Sequence, residues 1–133
     1  MTVPLPLWAT PLSASEARQQ LGHAGELAAG RLLERHGYTV LAHRFRIGRH
    51  EMDLIARAGR LVCFVEVKTR RTAHAGAADE AMGLRQRRVQ LHLGGLWVAR
   101  HGRAGESYRF DLCAVRPVAD GWAVRWIRDA FRA

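Results

Sequence analysis

An apolar run, Leu61-Val62-Cys63-Phe64-Val65, leads directly into Glu66-Val67-Lys68-Thr69-Arg70. Desolvating a carboxylate or an ammonium costs on the order of several kcal/mol unless the charge is paired or binds a metal. Side chains alternate along a strand, so Val62, Phe64, Glu66 and Lys68 share one face. A charged pair at the end of an apolar face is either a salt-bridged strand end or a reactive site. Upstream, Asp53 precedes Glu66 by twelve intervening residues. Phosphodiester hydrolysis needs a hard cation held by carboxylates, a water made nucleophilic, and a positive group near the attacked phosphate. Asp53 and Glu66 are the candidate ligands, for Mg²⁺ or for Mn²⁺ as its substitute, and Lys68 is the candidate group to position or deprotonate the water. Lys68 is also the only lysine among 21 Lys+Arg residues. GC-rich coding is the plain explanation of the Arg bias, yet it leaves a lone ammonium beside Glu66.

These side chains need a hairpin to hold them. Residues 51–56 read as a strand, and residues 57–60 as a tight reversal into the strand that carries Glu66. With an even loop and Arg57 opposite Arg60, Asp53 faces Phe64, Glu51 faces Glu66, and Asp53 lies diagonal to Glu66. Glu51, Asp53, Glu66 and Lys68 then share one face, whereas a three-residue loop would send Asp53 to the other. Directly opposed Glu51 and Glu66 repel, and a divalent cation or Lys68 would offset that repulsion.

Two helices flank the strands. Ser13 with Glu16 makes a capping box, and Gly37 stops the first helix after His36. Ala17, Leu21, Ala24, Ala28 and Leu32 form its apolar stripe, with Leu27 at the flank. Glu26 lies off the stripe's centre, a turn from Gly22 and a turn from Gly30. Each helical glycine costs about 1 kcal/mol relative to Ala. The two would leave a bare groove on either side of the carboxylate, open to a backbone or a phosphate; a solvated Glu on a loosely packed helix is the alternative. The second helix is expected over residues 79–101, with Met82, Val89, Leu93, Leu96 and Trp97 as its stripe. Gln86 falls inside that stripe, as a core amide or a contributor to the site. Gly94-Gly95 marks close packing. Strands are expected over residues 38–45, 109–115 and 122–127, the last after an Asp120-Gly121 turn. Asp111 is expected to point outward.

The totals fit one domain over residues 13–133, preceded by a flexible, proline-rich arm over residues 1–12. The 48% apolar content is ordinary, and no apolar run reaches the ~20 residues of a membrane helix. The net charge of +9 favours an anionic partner, foremost nucleic acid. Arg70 and Arg71 after the strand, and Arg85, Arg87 and Arg88 beside Gln86, are the candidate phosphate contacts. Cys63 and Cys113 read as small buried side chains, and no secretory signal is apparent, so a cytoplasmic setting is expected.

Gly22-His23-Ala24-Gly25-Glu26, Glu51-Met52-Asp53-Leu54-Ile55-Ala56, Phe64-Val65-Glu66-Val67-Lys68-Thr69-Arg70 and Arg109-Phe110-Asp111 together resemble the YraN family of bacterial proteins. These are predicted endonucleases similar to archaeal Holliday-junction resolvases, within the PD-(D/E)xK superfamily. The resemblance spans roughly residues 22–115. It implies a restriction-endonuclease-like α/β fold, a three-layer core whose central mixed sheet has about five strands, in the order α-β-β-β-α-β-β. It implies Glu26, Asp53, Glu66 and Lys68 as site residues. The chain departs from the family's usual pattern at His50, where Gly is common, and at Gln86, where Lys is common. Some nucleases of the superfamily use Gln there, which keeps Gln86 as a candidate contact to phosphate or water. The expected activity is metal-dependent hydrolysis of structured or branched DNA, by a homodimer if two strands are cut symmetrically. The alternative is a non-catalytic nucleic-acid-binding protein that retains the fold.

Overall fold

The computed structural model describes residues 13–70 and 82–132. The expected arm, Arg71, the loop after it and the expected start of the second helix lie outside the described residues. Helix α1 spans Ala14–Arg35, with Ser13 Oγ accepting from the Glu16 N–H at 3.1 Å. It ends where Gly37 takes φ 84°, a left-handed conformation that costs glycine little. Strands β1 (Thr39–Ile47), β2 (His50–Ala58) and β3 (Leu61–Thr69) follow, then helix α2 (Leu84–His101) and strands β4 (Ser107–Val118) and β5 (Gly121–Phe131). The sheet order is β1-β2-β3-β4-β5. β3 and β4 pair in parallel across the α2 crossover, and the other neighbours are antiparallel. The mixed sheet and the element order match the expected fold class.

The sheet is covered on both faces. Ala29 and Leu33 of α1 pack on Leu54, Ala56, Cys63, Val65, Cys113 and Val115. On the other face Leu93 and Trp97 of α2 pack on Met52, Ile55, Val62 and Phe64. Burial pushes the thiols of Cys63 and Cys113 up to about 12, as expected of inert core cysteines.

Several expectations are corrected by this packing. The buried face of α1 is Gly25, Ala29, Gly30 and Leu33, one position on from the expected stripe, and Leu27 is 54% exposed. Helix and sheet meet most closely at Gly25, where a Cβ would lie 2.0 Å from Thr69 Oγ1; nothing would come within 4 Å of one at Gly22. Close approach, rather than side-chain bulk, chose the face. On α2 the buried residues are Gln90, Leu93, Gly94 and Trp97, while Met82 is buried ahead of the helix. Gly94 is the close contact, 2.8 Å from Phe110 Cζ by the same measure, and Gly95 faces open space.

Asp111 is fully buried instead of pointing outward. Arg109 donates to both of its oxygens at 2.8 Å, Trp126 Nε1 donates at 2.9 Å, and the Asp129 N–H donates at 2.9 Å. Arg109 also reaches the Tyr38 hydroxyl at 3.1 Å, tying the segment after α1 to β4 and β5. A buried carboxylate so fully partnered holds structure together. Among the described residues, no helix is long and apolar enough to cross a membrane.

The glycine contacts lead to opposite expectations for two similar substitutions. Gly25→Ala should destabilise by on the order of 1–3 kcal/mol, because Thr69 is short, branched and cannot swing clear. Gly22→Ala should stabilise by up to about 1 kcal/mol from helix propensity alone. Urea unfolding of both variants measures this, and equal stabilities would show that α1 does not seat on Thr69.

Candidate active site

The site begins where two strands part. β2 and β3 turn through Gly59-Arg60, with Ala58 opposite Leu61, and their ladder runs only as far as Leu54 opposite Val65. The turn has an even count, as expected, but sits one residue later than expected. Continued along that register, Asp53 falls level with Glu66, and Glu51 with Lys68, so the anticipated Glu51–Glu66 opposition is relieved. Past the last pair, Asp53 Oδ2 accepts the Val67 N–H at 2.7 Å. A side chain thus satisfies a backbone donor at the place where the strands diverge.

A second irregularity aims the same residue. β1 and β2 pair His43 with Leu54 and Phe45 with Met52, leaving Arg44 and Asp53 between those rungs. Met52 and Ile55 lie in one core cluster although strict alternation would put them on opposite faces, and the same holds for Ala42 and Phe45. Both strands therefore break step at this level. Arg44 has φ 55°, a conformation that non-glycine residues rarely adopt and that clusters at functional sites. Asp53 consequently stands at the seam of the sheet, within reach of groups from both layers.

Four elements supply the neighbouring charges. Gly25 seats α1 on the end of β3, which brings Glu26 to the seam. Oxygens of Glu26, Glu51 and Asp53 all lie within 4.8 Å of one another. Glu66 joins them through a hydrogen bond shared with Asp53, and Gln86 Nε2 of α2 donates to Glu66 Oε1 at 2.8 Å. Burial first, and then Asp53, raises the Glu66 carboxyl well above the ordinary carboxylate range. Burial raises Asp53 as well, aided by Glu26 and opposed by the Val67 N–H. The half-buried Lys68 pulls Glu66 back toward ionisation. The pair is thus poised to share a proton.

The expected site residues Glu26, Asp53, Glu66, Lys68 and Gln86 converge on this seam. Sequence reasoning did not single out Glu51, Arg44 or Gln90 as members. Glu51 was visible as one of three acids on the shared face of the hairpin. Arg44 Nε lies 3.1 Å from Glu26 and 3.6 Å from Glu51, and Arg46 lies 2.7 Å from Glu51. Gln90 Nε2 donates to the Glu51 carbonyl at 3.2 Å, fixing the strand that carries the acids.

The basic residues divide. Arg70 lines a surface cleft with Arg18, Leu21, Gly22, Glu26, Val67 and Thr69, so the cleft opens beside the acids. Arg85 and Arg88 are exposed on the first turns of α2. Arg87 is turned inward, donating to the Met82 carbonyl at 2.8 Å with its guanidinium 6.0 Å from the centre of the Phe131 ring. That placement gives it a packing role in the fold.

Comparison with known sequences places the chain. The profile of the family described as "Uncharacterised protein family UPF0102" matches residues 25–115, from the α1 contact with Thr69 to the end of the β4 core. A UPF0102 protein of Symbiobacterium thermophilum is 40% identical over 116 residues, covering 86% of this chain and 98% of its own length. One from Chelativorans is 47% identical over 98 residues, 72% of this chain and 77% of its own. The UPF0102 protein YraN of Salmonella arizonae is 36% identical over 115 residues, 85% of each chain. With this breadth of match, which takes in the acids of α1, β2 and β3 alike, the chain belongs to the UPF0102 family, the family of YraN.

Proposed function

We propose that the protein is a metal-dependent endonuclease that hydrolyses phosphodiester bonds in structured or branched DNA, with a second copy of the chain supplying the second cut. The observation that carries this reading is the Asp53–Glu66 pair. Two half-buried carboxyls stand side by side, their affinity for protons is raised first by desolvation and then by each other and Glu26, and a lysine stands two residues along the same strand from Glu66. An all-oxygen donor set of this kind fits a hard divalent cation such as Mg²⁺, with Mn²⁺ as substitute. Asp53 and Glu66 would hold it, and when bound it would act as a Lewis acid and lower the pKa of a coordinated water.

The chain's own residues would divide the remaining work. Asp53 is fixed by Val67, and Glu66 by Gln86, so neither carboxylate needs to be ordered at the moment of reaction. Lys68 would orient the attacking water or, as the neutral amine, take up its proton. Gln86 would hold Glu66 with one face of its amide toward the phosphate. Arg70 and Arg18 in the cleft beside Glu26, with Arg85 and Arg88 at the head of α2, would follow the backbone of the nucleic acid, consistent with the net charge of +9.

The reading is tested by cleavage of junction, flap and duplex DNA with Mg²⁺ or Mn²⁺. Asp53→Ala and Glu66→Ala should each lower the rate by on the order of 10²–10³-fold, the usual loss on removing one group that stabilises transition-state charge. Lys68→Arg should fold normally yet lose comparable activity, since a guanidinium neither fits the space of an ammonium nor gives up a proton. Equal trace activity in wild type and all three variants would sink the nuclease reading. DNA binding that survives loss of both acids would then favour a non-catalytic binder.

The raised carboxyls also fix a pH dependence for the protein in EDTA. A folded-state pKa above the unfolded value means that the folded chain holds the proton more tightly. Below about pH 4 both states are protonated and the pair costs nothing. As pH rises, the unfolded chain ionises first, and stability falls until the raised folded values have been passed. Glu66→Gln removes that loss. It should therefore melt above wild type at about pH 9 and show a smaller advantage at about pH 5, by differential scanning calorimetry. A constant difference across that range would show that Glu66 is not strained by its neighbours.

A further inference from the structure

The acids at the seam outnumber the ligands that one divalent ion takes from Asp53 and Glu66. Glu26 and Glu51 also stand beside Asp53, and their oxygens and that of Asp53 come within 4.8 Å of one another. Carboxylates this close, only 15% and 28% exposed at Glu26 and Glu51, repel unless a cation lies between them. The cation in this structure is Arg44, whose Nε lies 3.1 Å from Glu26 Oε2 and 3.6 Å from Glu51 Oε1. It reaches them from a backbone at φ 55° in the middle of a strand, on the rung where β1 and β2 both break step. An arginine gains nothing from that conformation by itself, and its usual cost is of order 1–3 kcal/mol. What it gains is the placement of a guanidinium between two carboxylates.

We propose that Arg44 is a built-in cation standing where a second divalent ion would otherwise bind, so that the site takes one metal ion per chain and not two. The inference rests on the metal-dependent reading above. With Arg44 and Lys68 in place, a single divalent cation neutralises Glu26, Glu51, Asp53 and Glu66, whereas a second would leave the seam positively charged. Glu26 then acts as a positioning residue. It anchors Arg44 from α1, and through Arg44 it holds β1 against β2 beside Asp53. Arg46, which pairs with Glu51 at 2.7 Å, is 65% exposed and contributes at the margin. A guanidinium is permanently charged and cannot be displaced by raising the pH, so the exclusion holds wherever the acids are ionised.

The number of bound ions tests this without any measurement of cleavage. Mn²⁺ titration followed by calorimetry and by electron paramagnetic resonance should give one ion per wild-type chain, with the spectrum of an isolated Mn²⁺. Arg44→Gly suits the left-handed backbone and removes the charge. It should bind two ions per chain and show the line broadening of a spin-coupled pair. Arg44→Gln removes the charge while keeping a side chain, and it should also bind two, so either folded variant decides the matter. Two ions in wild type, or one in both variants, overturns the role of Arg44 while leaving a metal site intact. No Mn²⁺ bound by wild type would overturn the metal-dependent reading and this inference with it.

Discussion

The hydrogen bond from the Val67 N–H to Asp53 Oδ2 sets where the sheet stops being a sheet and becomes a site. A ladder that simply frays leaves backbone donors to water, and at the junction of two covered faces there is little water to meet them. Asp53 supplies the acceptor, so β2 and β3 separate after Leu54 and Val65 with the Val67 donor satisfied. The same carboxylate is consequently held in one orientation by the backbone of the strand that carries Glu66 and Lys68. Geometry and charge are coupled through one oxygen. The bond favours the ionised form of Asp53, while burial and the neighbouring acids oppose it. Loss of Asp53 would leave that N–H unpartnered, at a cost of about 1–3 kcal/mol.

Both helices are pinned at points that bear on this seam. α1 is fixed near its middle by the contact of Gly25 with Thr69, one residue beyond Lys68. Just past its C-terminus Tyr38 bonds to Arg109, which grips Asp111. α2 is fixed by Gly94 against Phe110 and by Gln86 and Gln90, which reach Glu66 and the Glu51 carbonyl. The contrast between Asp111 and Asp53 is instructive, because both are acids within the sheet. Asp111 has a bidentate arginine, an indole and an amide, so its charge is matched inside the fold. Asp53 has one amide and three acidic neighbours, so its charge is left for something else to match. That difference in partners separates a carboxylate matched within the fold from one that is not.

The elements and their order were legible in the sequence because they rest on short-range rules. Ser13 and Gly37 bound α1, Gly59 and Gly121 close hairpins, and the alternation around Phe64 sets a strand face. The even turn between β2 and β3 followed from the same rules, although its position slipped by one residue. What escaped depends on contacts between elements. The buried face of α1 was misjudged because Gly25 counts for nothing in a hydrophobic stripe, yet it alone allows the helix to touch Thr69. Asp111 looked outward because its neighbours on the strand are apolar; its partners come from β5 and from Arg109, two residues back on its own strand. Arg44 carried no signal at all, since its reach depends on a left-handed residue inside a strand, which no pattern of residue types announces.

The two half-buried cations beside the acids differ in residue type, and their settings differ with them. Arg44 lies between carboxylates on separate elements, and a planar guanidinium with several donors can bond outward in more than one direction while keeping its charge. Lys68 sits on the same strand as Glu66, where a compact ammonium acts as a point charge. In a chain that otherwise relies on arginine for positive charge, the one lysine stands beside Glu66. On the nuclease reading proposed above, one cation would hold the acidic groups together and the other would serve the attacking water. β1 provides the first in Arg44 and β3 the second in Lys68, with Asp53 on β2, the strand between them.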